Sequence, residues 1–259
     1  MGLIIWYVGG AVVISGMILL LYMFMEAKQQ NIKEQTLAFE EFPKSFGKVR
    51  IFFISDIHRR RVTEEFIQPL INKVDFVIIG GDLVEKGVSL KQVEQNIETL
   101  KKLGLVFFVW GNNDYEVDYH ELDSLLLHSG VKILDNTAYK FESEKKEMLE
   151  IVGVDDMIHE RDRLDLALGD TTSDSFKILV SHGPKIVEKF SAHQQISLVL
   201  SGHTHGGQIR IFGYGPHEKG SIQHLSHTTL LVSNGFGTSL IPLRLGAPPE
   251  VHLLTITGH

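Results

Sequence analysis

At 259 residues, 43% hydrophobic and 22% charged, the chain is long enough for one large α/β domain or two small ones. A formal net charge of -7 argues against a general nucleic-acid binder, because no cationic excess is available to neutralise a phosphate backbone. The absence of cysteine excludes disulfides and thiolate metal sites, so any metal must be held by His, Asp, Glu or Asn, and thirteen histidines are available.

The first element is apolar and uncharged from Gly2 to Met25. At ~1.5 Å per residue, a helix of that length crosses a ~30 Å hydrocarbon core. Trp6, Tyr7 and Tyr22 are placed for the two interfaces. No basic residue precedes the run and no small-x-small site follows it, so the expectation is an uncleaved single-pass anchor in the cell membrane rather than a signal peptide. Lys28 and Lys33 follow the span, a bias toward a cytoplasmic catalytic part that Glu26 and Glu34 dilute. The polar stretch to Gly47, with Pro43 near its end, reads as a juxtamembrane tether. The expected organisation is therefore an anchor over 1–27, a tether over 28–47 and a globular domain over 48–259.

The globular part opens with the β-rich run Val49–Ser55, which empties into Asp56-Ile57-His58. Val74–Ile79 ends in Gly80-Gly81-Asp82, and Leu105–Trp110 ends in Gly111-Asn112-Asn113-Asp114. Between them Leu90, Val93, Ile97 and Leu100 recur at helical spacing, as in a crossover helix. Phe176–Val180 ends in Ser181-His182-Gly183, and Leu198–Ser201 ends in Gly202-His203-Thr204-His205-Gly206-Gly207. Tyr139–Glu144 and the run after Lys146 predict a β-hairpin, and Val251–Thr257 a closing strand. Open α/β sheets place their sites at the carboxyl ends of strands, where all of these polar residues fall.

Each residue also has a structural reading. Asp56 and Asp82 are possible loop or helix caps, Asn112 a turn residue and His182 a core histidine with a satisfied ring. Five strands delivering Asp, His or Asn at one end, in this order, are not explained by five separate accidents.

The ordered blocks resemble the calcineurin-like metallophosphoesterase superfamily, with its DxH, GD, GN[HN][DE], H and GHxH pattern. Gly206-Gly207-Gln208, and a late segment running from Gly235-Phe236-Gly237 through Pro242-Leu243-Arg244 to Pro249-Glu250, are similar to its membrane-anchored bacterial branch. The resemblance implies a four-layer αββα sandwich, an α/β fold, preceded here by one transmembrane helix. It implies two divalent metal ions, manganese first, with iron, zinc or magnesium as alternatives. Asp56, His58 and His205 would hold one ion, Asn112, His182 and His203 the other, and Asp82 would bridge them. Asp82, Asn112, Asn113 and Asp114 are the residues expected to take part in catalysis.

Two such ions ~3.5–4 Å apart clamp phosphoryl oxygens and share a hydroxide, so no side-chain nucleophile is required. With only Asp56 and Asp82 charged, two 2+ ions would leave the site about +2, which suits an anionic ester. One position departs from the common pattern: most relatives carry His where this chain has Asn113, which cannot give up a proton. That puts general-acid catalysis in doubt and favours diphosphate or aryl leaving groups. Arg59, Arg60 and His217 are candidate substrate contacts, with a solvated loop start as the alternative for the arginines. His224 and His227 share the region of His217. The expected substrate is a phosphorylated small molecule or a lipid-linked phosphodiester or diphosphate, with the membrane engaged through the N-terminal helix and no nucleic acid or obligate protein partner. The competing class is a non-catalytic scaffold, which would be expected to have lost ligands.

Overall fold

Side chains on each core strand alternate between two different apolar layers, and that period of two generates the architecture. The computed structural model describes residues 2–258. Its first sheet contains β1 (Asn31–Phe39), β2 (Lys48–Ile54), β3 (Phe76–Ile79), β4 (Leu105–Phe108), β5 (Lys132–Ile133) and β12 (Glu250–Gly258). In space these run β1-β12-β2-β3-β4-β5, with β2 to β5 mutually parallel and β12 antiparallel to β2. The second sheet contains β6 (Thr137–Glu142), β7 (Met148–Gly153), β8 (Phe176–Val180), β9 (Ile196–Ser201), β10 (Ser221–His224) and β11 (Thr229–Val232). Its order is β10-β11-β9-β8-β7-β6, parallel from β7 to β11 and closed at each edge by an antiparallel hairpin partner.

The alternation is visible residue by residue. Phe52 and Ile54 of β2 face outward to the helices, while Ile51 and Phe53 face the second sheet. Val199 of β9 faces outward and Leu198 and Leu200 face the first sheet. Helices α2 (Glu64–Ile67), α3 (Leu90–Lys101) and α4 (Tyr119–His128) cover the first sheet. The short α5 (Leu164–Gly169) and the 3₁₀ turns over Pro184–Lys189 cover the second. The result is the four-layer αββα sandwich. The crossover helix α3 buries Val93, Ile97 and Leu100, and Ser89 caps it by accepting from the Gln92 N–H.

The segment expected to be a tether is part of the sandwich. β1 pairs in parallel with β12 from Asn31↔Glu250 to Phe39↔Gly258. Phe39 and Phe42 both pack edge-on against Phe176 of β8, with centroids 5.2 and 5.1 Å apart. The polarity that suggested a tether belongs to an edge strand, whose outward Lys33 and Glu34 discourage further strand pairing.

The N-terminal helix α1 (Gly2–Ala27) is long and apolar enough to cross a membrane, with a mean hydropathy of 2.3 over its best window and side chains exposed from Ile4 to Tyr22. Its last turn docks on the sandwich. The Met23 carbonyl accepts from the Arg244 N–H at 3.1 Å, and Glu26 accepts from the Gly246 N–H at 3.0 Å. The Arg60 guanidinium donates to the carbonyls of Lys28 and Gln29 and stacks 4.0 Å over the Phe236 ring. These carbonyls lie just past the end of α1 in the link to β1, and the cation satisfies them.

Candidate metal centre

Seven polar side chains come together where β2, β3, β4, β8 and β9 end. Five of them sit on backbone that L-residues seldom adopt: Asp56, His58, Asp82, His203 and His205 have φ of 53°, 51°, 51°, 70° and 49°. Each such residue costs on the order of 1 kcal/mol or more and persists only where its surroundings fix it. The adjoining glycines have a direct steric reason. A Cβ at Gly111 would collide with the Asp82 carboxylate, and one at Gly202 with that of Asp56.

The side chains form two groups, Asp56 with His58 and His205, and Asp82 with His182 and His203. In the first, Asp56 Oδ1 lies 3.3 Å from His205 Nε2, and the Nε2 atoms of His58 and His205 are 3.0 Å apart. In the second, His203 Nδ1 lies 3.3 Å from His182 Nε2. Asp82 Oδ2 is 3.2 Å from His182 Nε2 and 3.7 Å from His58 Nε2, so one oxygen reaches both groups. The other, Oδ1, accepts from the Asn113 N–H at 2.8 Å. Asn112 Oδ1 is buried at the same edge with no partner among the described residues, which is costly unless something absent from the polypeptide uses it.

Electrostatics divides the imidazoles. Burial, reinforced by His58 and Arg244 against the pull of Asp56, pushes His205 down to about 3, and burial with the neighbouring His182 lowers His203. At His182 burial opposes charge, but Asp82 and Asp56 outweigh it and raise the ring to about 10. Burial likewise opposes charge at His58, where Glu85, Asp82 and Asp56 prevail and raise it. Asp82 is held below the carboxylate range although burial works the other way, chiefly by His182 and His58.

The other expected site residues take up varied positions. Asp114 is fully buried and accepts from the N–H groups of Gly111, Asp82 and Val84 at 2.8, 2.9 and 3.0 Å. Its carboxylate fixes the two loops carrying Asp82 and Asn112 rather than facing the open site. Burial and then Asp82 push it up to about 7 against those donors. Arg60 is committed to the carbonyls of Lys28 and Gln29 just past α1 and to that of Phe236. Arg59 pairs with Glu85 and borders a cavity of about 310 Å³ with Asn113, Glu116 and Leu240. His217 borders a second cavity of about 230 Å³ with His203, His205 and Leu240. His227 lines a separate cavity beside Phe39 and Ser175, while His224 ends β10 beside Thr229, away from the metal-ligand groups.

Two supporting residues were not foreseen. Glu85 Oε2 lies 3.1 Å from His58 Nδ1, within ion-pair distance though not aligned as a hydrogen bond. Arg244 is fully buried, donates to the carbonyls of His205, Asn234, Gly237 and Ala247, and brings Nη2 within 3.2 Å of His205 Nδ1. Its sequence signal was a single cation inside the apolar run Ile241–Leu245.

The model of the calcineurin-like phosphoesterase family matches residues 49–207, the stretch that carries all seven side chains. The chain belongs to that family. The phosphoesterase is 39% identical over 253 residues to "Uncharacterized protein YpbG" of Bacillus subtilis (strain 168), covering 97% of each. It is 29% identical over 265 residues to "Transmembrane protein with metallophosphoesterase domain" of Danio rerio, covering 93% of this chain and 60% of the relative. Among solved structures, the NAD nucleotidase NadN of Haemophilus influenzae superposes with a TM-score of 0.51 at 13% identity, over 73% of this chain and 45% of that one. The phosphoesterase thus spans less than half the nucleotidase, and that likeness bears on the fold alone. Family and relatives together make the chain a hydrolase of phosphoester bonds, with two groups of side chains suited to metal.

Proposed function

We propose that the phosphoesterase is a membrane-tethered hydrolase that uses a pair of divalent ions, manganese first, and prefers diphosphate or aryl leaving groups to alkyl ones. The observation that carries this reading is the position of Asp82 Oδ2, within 3.2 and 3.7 Å of imidazole nitrogens from both groups. Asp56, His58 and His205 would hold one ion, and Asn112, His182 and His203 the other, with Asp82 between them. The donors fit: each group mixes imidazole and oxygen ligands, and the orphaned Asn112 oxygen would gain a partner. When bound, the ions supply Lewis acidity to the phosphoryl oxygens and a water acidified toward neutral pH.

The chain's own residues supply position and charge. Asp114 and the Gly111 backbone fix the Asp82 and Asn112 loops, and Glu85 and Arg244 brace His58 and His205 from behind. His182, raised by Asp82 and Asp56, would have to be neutral for its ring nitrogen to hold an ion, so metal affinity should fall as pH falls. Asn113 stands where a proton donor to the leaving oxygen would help, and an amide cannot donate one. Leaving groups that depart as weak bases, a phosphate ester with a second pKa near ~6 or a phenol near ~10, do not need that help. The tether is α1, whose apolar length supports a membrane span. Retention of every expected ligand disfavours a scaffold.

The test is hydrolysis of bis-p-nitrophenyl phosphate by the purified, manganese-loaded full chain and its variants. Asp82→Asn should lose more activity than His205→Asn, and more than the ~10–100-fold typical of losing a supporting contact. A native-like rate and metal content in Asp82→Asn would overturn the two-ion assignment.

A further inference from the structure

Outside α1, half of the strongly exposed large apolar side chains among the described residues fall on two short loops. Phe212 and Tyr214 are 95% and 83% exposed on one, and Leu240 is 98% exposed on the other. Ile211 and Ile241 flank them. Apolar exposure concentrated in this way marks an interaction surface, whereas scattered residues do not.

The two loops form one unit. The Gln208 amide accepts from the Ser239 N–H at 2.9 Å and donates to the carbonyls of Ser239 and Ile241 at 2.9 and 3.1 Å. Leu245 and Gln208 join the bases of the loops through a backbone hydrogen bond of 2.9 Å. The second loop continues directly into the contact with α1, where the Arg244 N–H donates to the Met23 carbonyl, and Pro242 shares a cavity with Phe24 and Ala27. Leu240 also lines both cavities at the metal-ligand groups, beside Asn113 in one and His203 in the other. The apolar loops therefore lie between the mouth of the site and the end of the apolar helix.

We propose that the loops 211–214 and 239–243 form a lip seated in the membrane interface, so that the site opens at the headgroup plane and takes the phosphate of a lipid. Continuity with α1 identifies a bilayer as the occupant, because a helix that leaves the hydrocarbon core at Met23–Ala27 brings the attached loops to the same level. Aromatic and aliphatic tips on a polar, hydrogen-bonded base suit that interface. This inference rests on reading α1 as a membrane span and the site as a phosphoesterase centre.

The natural absence of cysteine allows one environment-sensitive fluorophore to be placed at will. The full chain would be reconstituted in phosphatidylcholine–phosphatidylglycerol vesicles as Phe212→Cys, with Leu127→Cys as the control. Leu127 is exposed near the carboxyl end of α4, the helix that runs from the site end of β4 back to the start of the parallel strand β5. The label at 212 should shift to the blue and be quenched about twofold more than the control by lipids carrying a nitroxide near the headgroup. Separately, the double variant Phe212→Ser/Tyr214→Ser should lose about tenfold in kcat/KM on a vesicle-borne lipid diphosphate and retain its rate on bis-p-nitrophenyl phosphate. Equal water exposure of the two labels, shielding at 212 that appears only when a protein partner is added, or equal losses on both substrates would each overturn the lip. Failure of the wild-type chain to hydrolyse the soluble diester would instead contradict the phosphoesterase reading beneath it.

Discussion

At the scale of single residues, Asn113 separates two accounts of leaving-group departure. Its amide donates to Glu116 Oε1 at 2.8 Å, and the buried Asp114 points away into backbone N–H groups. A histidine at 113 would therefore find its orienting carboxylate in Glu116, not in the acidic residue that follows it. An alkoxide, the conjugate base of an acid near water's pKa of ~16, needs a proton as it leaves. Asn113→His should raise turnover of a simple alkyl phosphate by up to the ~10²–10⁴-fold typical of general-acid help, with aryl and diphosphate turnover little changed. Parallel initial-rate measurements on the three substrates check this. An equal change in all three, or efficient alkyl hydrolysis by the native enzyme, would show that another group already supplies the proton.

At the scale of elements, the N-terminal segments contribute differently to the sandwich. Removing residues 1–22 leaves the Met23, Glu26 and Arg60 contacts in place and should yield a folded domain. Removing residues 1–27 deletes two hydrogen bonds to the loop around Arg244 and the Ala27 carbonyl that Arg60 reaches at 3.5 Å, at a cost of roughly 1–3 kcal/mol in urea unfolding. Removing residues 1–39 uncovers β12 and should give aggregation in place of a cooperative transition. Identical urea midpoints for all three would contradict the assignment of β1 to the sheet. The β1–β12 pair also carries a titrating group away from the metal-ligand cluster. His252 Nδ1 pairs with Gln35 Oε1 at 2.9 Å, while Glu250 at 3.7 Å is too far to hydrogen-bond Nε2. Burial, with Lys33 adding to it, lowers His252 to about 4. Its folded pKa lies below the unfolded value of about 6.5, so the folded state favours the neutral ring. That contribution is complete above about pH 6.5 and is lost as pH falls toward about 4, up to ~3 kcal/mol. Urea midpoints measured from pH 7 to 4 should fall across that window, and His252→Gln should flatten the fall.

At the scale of the whole molecule, what could be read in the sequence was whatever depends on local periodicity. Apolar runs ending in Gly-Asp, Gly-Asn or Gly-His are strands emptying at one sheet edge, and the alternation that buries Ile51 and Phe53 opposite Phe52 and Ile54 is written in the residue order. What escaped depends on contacts between distant parts of the chain. β1 looked like a tether because its polar outer face is intelligible only beside β12, more than 200 positions later. The partners of Arg60, the Lys28 and Gln29 carbonyls just past α1, lie outside its own motif and could not be read from it. Glu85 and Arg244 were invisible as supports because nothing local to either names the histidine it braces. A two-ion centre here requires that both ligand groups share Asp82. It is tested most directly by electron paramagnetic resonance of the purified full chain titrated with manganese. Two equivalents giving an exchange-coupled signal, lost in Asp82→Asn, is the predicted result; one equivalent, or two ions with independent spectra, would contradict it.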